Sequence, residues 1–202
     1  MHLTKCQRCS IAIPLFLSAF LTTRTFGQAA FDEQSDYVIW AVSFPNETRL
    51  SPDQQSTVRL RVVGKGCQQA QLGEILDRVR DAYQNFGFYW ARVAGTLEVL
   101  DATRRPSPVS LKLAVEEGPQ YKLRQIQLQG VRVFTPEQIR SLLPMQLEEV
   151  FDTSKVREML DGVKRLYVSA GYTDVTIVPE VKTMEHGNGL ALFLTFREGS
   201  SR

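Results

Sequence analysis

Few side chains in this sequence can hold a metal or attack a substrate. There are 2 histidines and 3 cysteines in 202 residues. Beyond the first thirty positions only His186 and Cys67 remain. One histidine, in the turn "HGNG", makes no tetrahedral metal site, and one thiol makes no internal disulfide. Cys67 is expected to pack as a small apolar residue. No Gly-x-Ser-x-Gly, His-Glu-x-x-His or phosphate-loop motif occurs. The acid pairs Glu116–Glu117 and Glu148–Glu149 fall at strand ends or in loops. They read as solvated charge, not as paired catalytic carboxylates. A secreted enzyme therefore has little support, and no cofactor, metal or small-molecule substrate is expected. No apolar run reaches the roughly 20 residues that cross a bilayer as a helix.

The one apolar run that exists is short. Lys5 and Arg8 precede "SIAIPLFLSAFL", Ser10 to Leu21, and Gly27 and Ala29 supply small residues before Ala30. This is the pattern of a secretory signal peptide, residues 1–29. The alternative, a retained membrane anchor, suffers from the shortness of the run and from Pro14. Cys6 and Cys9 precede the run, so a lipid anchor is not expected. The leader holds Lys5, Arg8 and Arg24 and no acid. Its removal from a total of 24 Lys and Arg leaves 21, against 22 Asp and Glu. Without a basic excess to neutralise phosphates, nucleic acid is excluded as an expected partner.

What the sequence does hold is a repeat. "YQNFGFYW" begins at Tyr83 and "YVSAGYTD" at Tyr167, 84 positions later. At the same offset Tyr37 meets Tyr121, Asn46 meets Gly130, "LSPDQ" meets "FTPEQ", and Val93 meets Ile177. Near the end the offset falls to 81, where "EEG" (Glu116 to Gly118) meets "REG" (Arg197 to Gly199). A fixed period over so long a run marks a duplicated structural unit.

Each copy reads as the same series of elements. "VIWAVSF" and "KLRQIQL" alternate as strands, with Val38, Trp40, Val42 and Phe44 in one phase and Ile126 and Leu128 matching the last two. Turns follow at Asn46 and Gly130, residue types that accept positive φ. Ser51-Pro52-Asp53-Gln54 and Thr135-Pro136-Glu137-Gln138 then start helices, with a hydroxyl N-cap, proline at N1 and glutamine at N3. Pro144 is expected to close the second of these. Leu72, Ile75, Leu76, Val79 and Tyr83 form one apolar stripe of a further helix, and Val156, Met159, Leu160, Val163 and Tyr167 form its counterpart. Gly87 and Gly171 follow as left-handed C′ stops. Two strands close each copy. Val109, Leu111, Leu113 and Val115 alternate in the first, and Leu190, Leu192, Leu194 and Phe196 in the second. The fold class is α+β: two tandem β-α-α-β-β units, each a three-stranded mixed sheet with two helices on one face. The expected divisions are a linker at 30–36, a first domain at 37–118 and a second at 119–199.

This set of features resembles the polypeptide-transport-associated (POTRA) domain. The ordered residues of the second unit carry the likeness: Gly130 after the first strand, Tyr167, Gly171 and Tyr172 closing the second helix, and Glu198-Gly199 at the end. Tyr83, Gly87 and Gly118 repeat it in the first unit, where Asn46 departs from the glycine. The resemblance implies a periplasmic module, associated with the outer membrane, for outer-membrane protein assembly or secretion. Its implied partners are unfolded or partly folded outer-membrane or secreted proteins and an outer-membrane β-barrel. It further implies binding by strand addition at the first strand of each closing hairpin, here about Phe88 to Glu98 and Tyr172 to Val181. Trp90, Arg92, Asp174 and Thr176 are the candidate contact residues there. A divisome-type or secretion-channel scaffold, or a fragment of a larger barrel protein, are the alternatives.

Overall fold

A computed structural model describes residues 36–185 and 187–200. The leader, most of the linker and His186 lie outside the described residues. The first unit runs β1 (Tyr37–Ser43), α1 (Pro52–Val62), β2 (Gly66–Cys67), a 3₁₀ turn (Gln69–Gln71), α2 (Leu72–Asn85), β3 (Arg92–Val99) and β4 (Ser107–Glu116). The second runs β5 (Lys122–Gln129), α3 (Pro136–Arg140), α4 (Thr153–Ser169), β6 (Thr176–Thr183) and β7 (Gly189–Arg197). The sheet orders are β2-β1-β4-β3 and β5-β7-β6. In each unit the first strand runs parallel to the last, and the closing hairpin is antiparallel. The second sheet has the expected three strands. The first gains a fourth, the two-residue β2, because the chain between its helices turns back along β1.

Each unit buries its own core. Val58, Val62, Ile75, Val79 and Tyr83 from the helices meet Ile39, Val42, Val109 and Leu111 from the sheet. Ile139, Val156, Met159, Val163 and Tyr167 meet Leu123, Leu190, Leu192 and Leu194 in the same way. Cys67 is buried as a small apolar residue, and burial pushes its thiol pKa up.

The helix signals form as read. Ser51 and Thr135 accept from the N–H groups of Gln54 and Gln138, both at 3.2 Å, and both glutamine side chains bond back to the N-cap N–H. Pro144 is not what closes α3: the helix ends at Arg140 with Ser141 as its C-cap, before Pro144 is reached. The C-terminal ends of α2 and α4 are Schellman motifs. Gly87 and Gly171 take φ of 86° and 89°. The Phe88 and Tyr172 N–H groups reach back to the Tyr83 and Tyr167 carbonyls, both at 3.0 Å. One tyrosine thus supplies an inward ring and the carbonyl that ends the helix.

Two local expectations are corrected. Trp40 does not face the core; it is 63% exposed, and Ile39 is fully buried in its place. The cause is a bulge. Ile39 pairs with Val109 and Ala41 with Ser110, so Trp40 has no partner and the alternation slips by one residue. β5 carries the same slip, with Arg124 skipped between Leu123 and Gln125. The second correction is Asn46, which does not take positive φ. The first unit makes its turn with a Thr48 N–H to Pro45 carbonyl bond instead. Only Gly130 has the left-handed geometry, at φ 80°, and a side chain there would also collide with the Phe196 carbonyl oxygen.

Candidate functional site

A sheet edge can receive another chain only where its N–H and C=O groups are free. Each sheet has one edge that the protein covers itself. β2 pairs with Tyr37 and Val38, and the Ile39 N–H donates to the Lys65 carbonyl at 3.0 Å. In the second unit the Leu123 N–H donates to Glu149 and the Phe151 N–H to Tyr121, at 3.0 and 2.9 Å. The stretch between the two helices therefore lies along the start of β1 and of β5. The opposite edges, β3 and β6, carry no further strand among the described residues.

The two open edges differ. β3 holds no proline and alternates cleanly: Arg92, Ala94, Thr96 and Glu98 point out, and Val93, Gly95 and Leu97 are half-buried. β6 has Pro179 at its middle, opposite Leu194. A proline sits in an edge strand with its nitrogen toward the open side, so β6 lacks a donor there. Proline is a common guard of such edges.

The sequence-derived contact residues are distributed around these edges. Arg92 opens β3, is exposed, and pairs with Glu116 directly opposite at 3.5 Å. Thr176 opens β6, exposed, opposite Arg197. Trp90 and Asp174 are not strand residues; both lie in the turns that lead into β3 and β6. Trp90 is half-exposed and stacks edge-on against Tyr89, 4.8 Å between centroids. Tyr89 in turn packs on Phe151 of the second unit at 5.5 Å. Strand formation starts later than Phe88 and Tyr172 because the glycine cap and the turn after it use up those positions.

The repeated Glu-Gly that follows the last strand proves to be a clamp. Glu198 accepts from the Arg132 and Val133 N–H groups at 2.7 and 3.1 Å and from the Tyr167 hydroxyl at 2.6 Å. It ties the end of β7 to the loop after β5 and to α4. Burial raises its pKa, but the Tyr167 bond, the two N–H bonds and the Arg132 charge outweigh that and hold it below the usual range. Burial first, then the bond to Glu198 and its charge, push the Tyr167 phenol well above its ordinary value. Glu117 is the counterpart, and the expectation that it is solvated is wrong. It is 9% exposed and accepts from the Thr48 hydroxyl at 2.5 Å and the Arg49 N–H at 3.0 Å. The Tyr83 hydroxyl is buried beside Thr48 and Glu117 and makes no hydrogen bond of normal geometry to either. At the offset of 81 between "EEG" and "REG", Glu117 and Glu198 occupy the same place in the repeat.

The joint between units is also built from a glycine. A side chain on Gly87 would lie 2.5 Å from Val150 Cγ1, and the Gly87 carbonyl accepts from the Tyr121 N–H at 2.8 Å. The Thr153 hydroxyl donates to Asn85 Oδ1 at 2.6 Å across the same joint. No cluster of three or more His, Cys, Asp and Glu that could hold a metal occurs among the described residues. No helix among them is long and apolar enough to cross a membrane.

Comparison with known proteins follows the same division. The family model for POTRA, described as surface antigen variable number repeat, matches residues 121–199. The outer membrane protein assembly factor BamA of Buchnera aphidicola is 25% identical over 103 residues, covering 46% of this chain and 16% of that protein. The chain thus spans less than a fifth of that relative. POTRA domains 3–5 of Haemophilus influenzae BamA superpose with a TM-score of 0.59 at 21% identity, over 82% of this chain and 67% of theirs. POTRA domains 1–2 of the periplasmic part of Omp85 from Anabaena give 0.50 at 17% identity, over 82% and 97%.

Proposed function

We propose, from a POTRA domain at residues 121–199 and the same fold in the unit before it, that the chain is a non-catalytic periplasmic module for outer-membrane protein assembly or secretion. It takes hold of unfolded or partly folded client polypeptides by strand addition. The signal peptide read at residues 1–29 and the named relatives support the periplasmic placement. The observation that carries the reading is the asymmetry of the edges: β1 and β5 are partly covered by the protein's own chain, and β3 and β6 are left open.

Strand addition suits this task because main-chain hydrogen bonds supply the attraction, with little demand on client sequence. β3 is the principal receptor, since it offers donors along its whole length. β6 is the weaker one, since Pro179 removes a donor at its centre. Arg92 and Thr176 mark where each edge begins, and Trp90 and Asp174 flank them.

Photocrosslinkers placed at Thr96 on β3 and at Thr176 and Glu180 on β6 test this in cells. Outer-membrane precursors should be captured from both edges, more strongly from Thr96, and Pro179→Val should raise capture from β6. Capture only of inner-membrane or cell-wall proteins would overturn the assembly role. Equal capture from crosslinkers on the solvent faces of α2 and α4 would overturn strand addition.

A further inference from the structure

A different surface of the first unit has the makings of a second binding site. The bulge in β1 turns Trp40 outward, 63% exposed, and α1 places Leu60 nearby, 82% exposed. Two clefts meet at Trp40 and Val63. One, about 410 Å³, runs under Arg104, Arg105 and Pro106 from the loop between β3 and β4 and Pro108 at the start of β4. The other, about 570 Å³, lies between α1 and the part of β1 that β2 leaves uncovered, and takes in Arg59 and Leu60. Large apolar side chains gathered in this way on a surface mark an interaction site.

The charges around it have one sign. Among the described residues no carboxylate lines either cleft. Arg59, Arg104 and Arg105 form no ion pair among the described residues, whereas eight other Lys and Arg side chains do. Two of the three lie over aromatic rings. The Arg59 guanidinium is 4.9 Å from the Phe44 ring centre, and that of Arg104 is 5.9 Å from Trp40. A guanidinium over a ring face still has N–H groups to offer a carboxylate. Arg59 gives one nitrogen to Gln55 Oε1 at 3.5 Å, and Arg105 gives Nη1 to the Ala102 and Arg104 carbonyls and the Ser107 hydroxyl, which leaves its other nitrogens. The one acid in that loop, Asp101, makes no ion pair among the described residues; it accepts from the Thr103 hydroxyl and N–H at 2.6 and 2.9 Å, and these bonds, with the Arg104 charge, hold its carboxyl below the usual range.

We infer that this surface binds a polypeptide segment in which one or two large apolar side chains are flanked by carboxylates. The apolar residues fill the clefts on either side of Trp40, and the carboxylates meet Arg59, Arg104 and Arg105. Concave clefts beside an uncovered strand fit a peptide better than a flat anionic membrane. The site is separate from the β3 and β6 edges and does not depend on strand addition there.

The test is a phage-displayed library of random 12-residue peptides, panned on the chain without its leader and counter-selected on Trp40→Glu. Peptides rich in Asp or Glu around Phe, Trp or Leu should be enriched. Labelled copies should lose at least ten-fold in affinity for Arg104→Glu/Arg105→Glu, and Leu147→Ala, an exposed apolar residue away from this surface, should bind them unchanged. Unchanged melting temperatures confirm that the variants are folded. Absence of peptides whose recovery depends on Trp40, or enrichment of basic peptides, would overturn the inference. So would Trp40-dependent sedimentation with phosphatidylglycerol vesicles in place of peptide binding, which would make the surface a membrane contact.

Discussion

Removing the hydroxyl from each repeat tyrosine should change stability in opposite directions. Tyr167 and Tyr83 hold the same place in their helices, and both rings are fully buried. Their hydroxyls differ: one donates to Glu198 at 2.6 Å, the other lies beside Thr48 without a hydrogen bond of normal geometry. A hydrogen bond to a charged group contributes about 1.5–3 kcal/mol. Glu198 keeps its two backbone donors without Tyr167, so the lower end applies, and Tyr167→Phe should cost about 1.5 kcal/mol. A buried hydroxyl left unpaired costs the fold about 1–3 kcal/mol, so Tyr83→Phe should be neutral or stabilise by about 1 kcal/mol. For a domain of this size each kcal/mol moves the melting temperature by roughly 4–8 °C. Urea unfolding of both variants, with hydrogen exchange resolving the amides of α2 from those of α4, reads each unit separately. Equal losses in the two variants would refute the reasoning. They would show that the Tyr83 hydroxyl is bonded in solution, and no loss in Tyr167→Phe would show that the Glu198 bond contributes nothing.

The clamp also predicts a pH dependence. Glu198 titrates below its unfolded value, so its contribution is full above about pH 4.5 and is lost as pH falls through its lowered pKa. Tyr167 titrates above its unfolded value, so its contribution is full below about pH 10 and is lost as pH rises beyond that. Glu198→Gln should flatten the acid limb of a stability–pH curve, and an unchanged limb would contradict the clamp. Gly130→Ala should destabilise the second unit by at least about 1–2 kcal/mol from left-handed strain alone, with the clash against Phe196 added. Gly171→Val should do likewise at the α4 cap, and a melting curve that does not move would refute the Schellman assignment. Tyr167→Ala, which empties the ring's place in the core, should cost about 3–5 kcal/mol.

Much of the architecture was legible because periodic signals are local. The stripes ending at Tyr83 and Tyr167, the capping boxes at Ser51 and Thr135, and the C′ glycines each involve residues within a turn or two of one another. The repeat then doubled every observation. What escaped depends on pairing between distant segments. The slip at Trp40 and Arg124 is visible only once β4 and β7 are in register, and β2 exists only because β1 lies beside it. Glu117 looks like any acid at a strand end until Thr48 and Arg49 arrive across the sheet. Alternation in the sequence runs on through Trp90 and Asp174, yet the tight turns that follow Gly87 and Gly171 delay the strands past them. The candidate edges themselves came from the resemblance, and the distinction that Pro179 draws between them needed the strand order.

The slip in the first strand has a consequence for how such a unit can diverge. Positions 40 and 124 lie in the middle of a strand, yet neither has a partner in the ladder and neither touches the core. Whatever residue stands there, Ile39 and Leu123 still close the interior beneath it. The fold thus reserves a slot whose occupant answers to surface contacts, as Arg124 does to Glu148, and not to the core. One copy has filled it with tryptophan and the other with arginine, so two copies of one scaffold present different faces to whatever meets them.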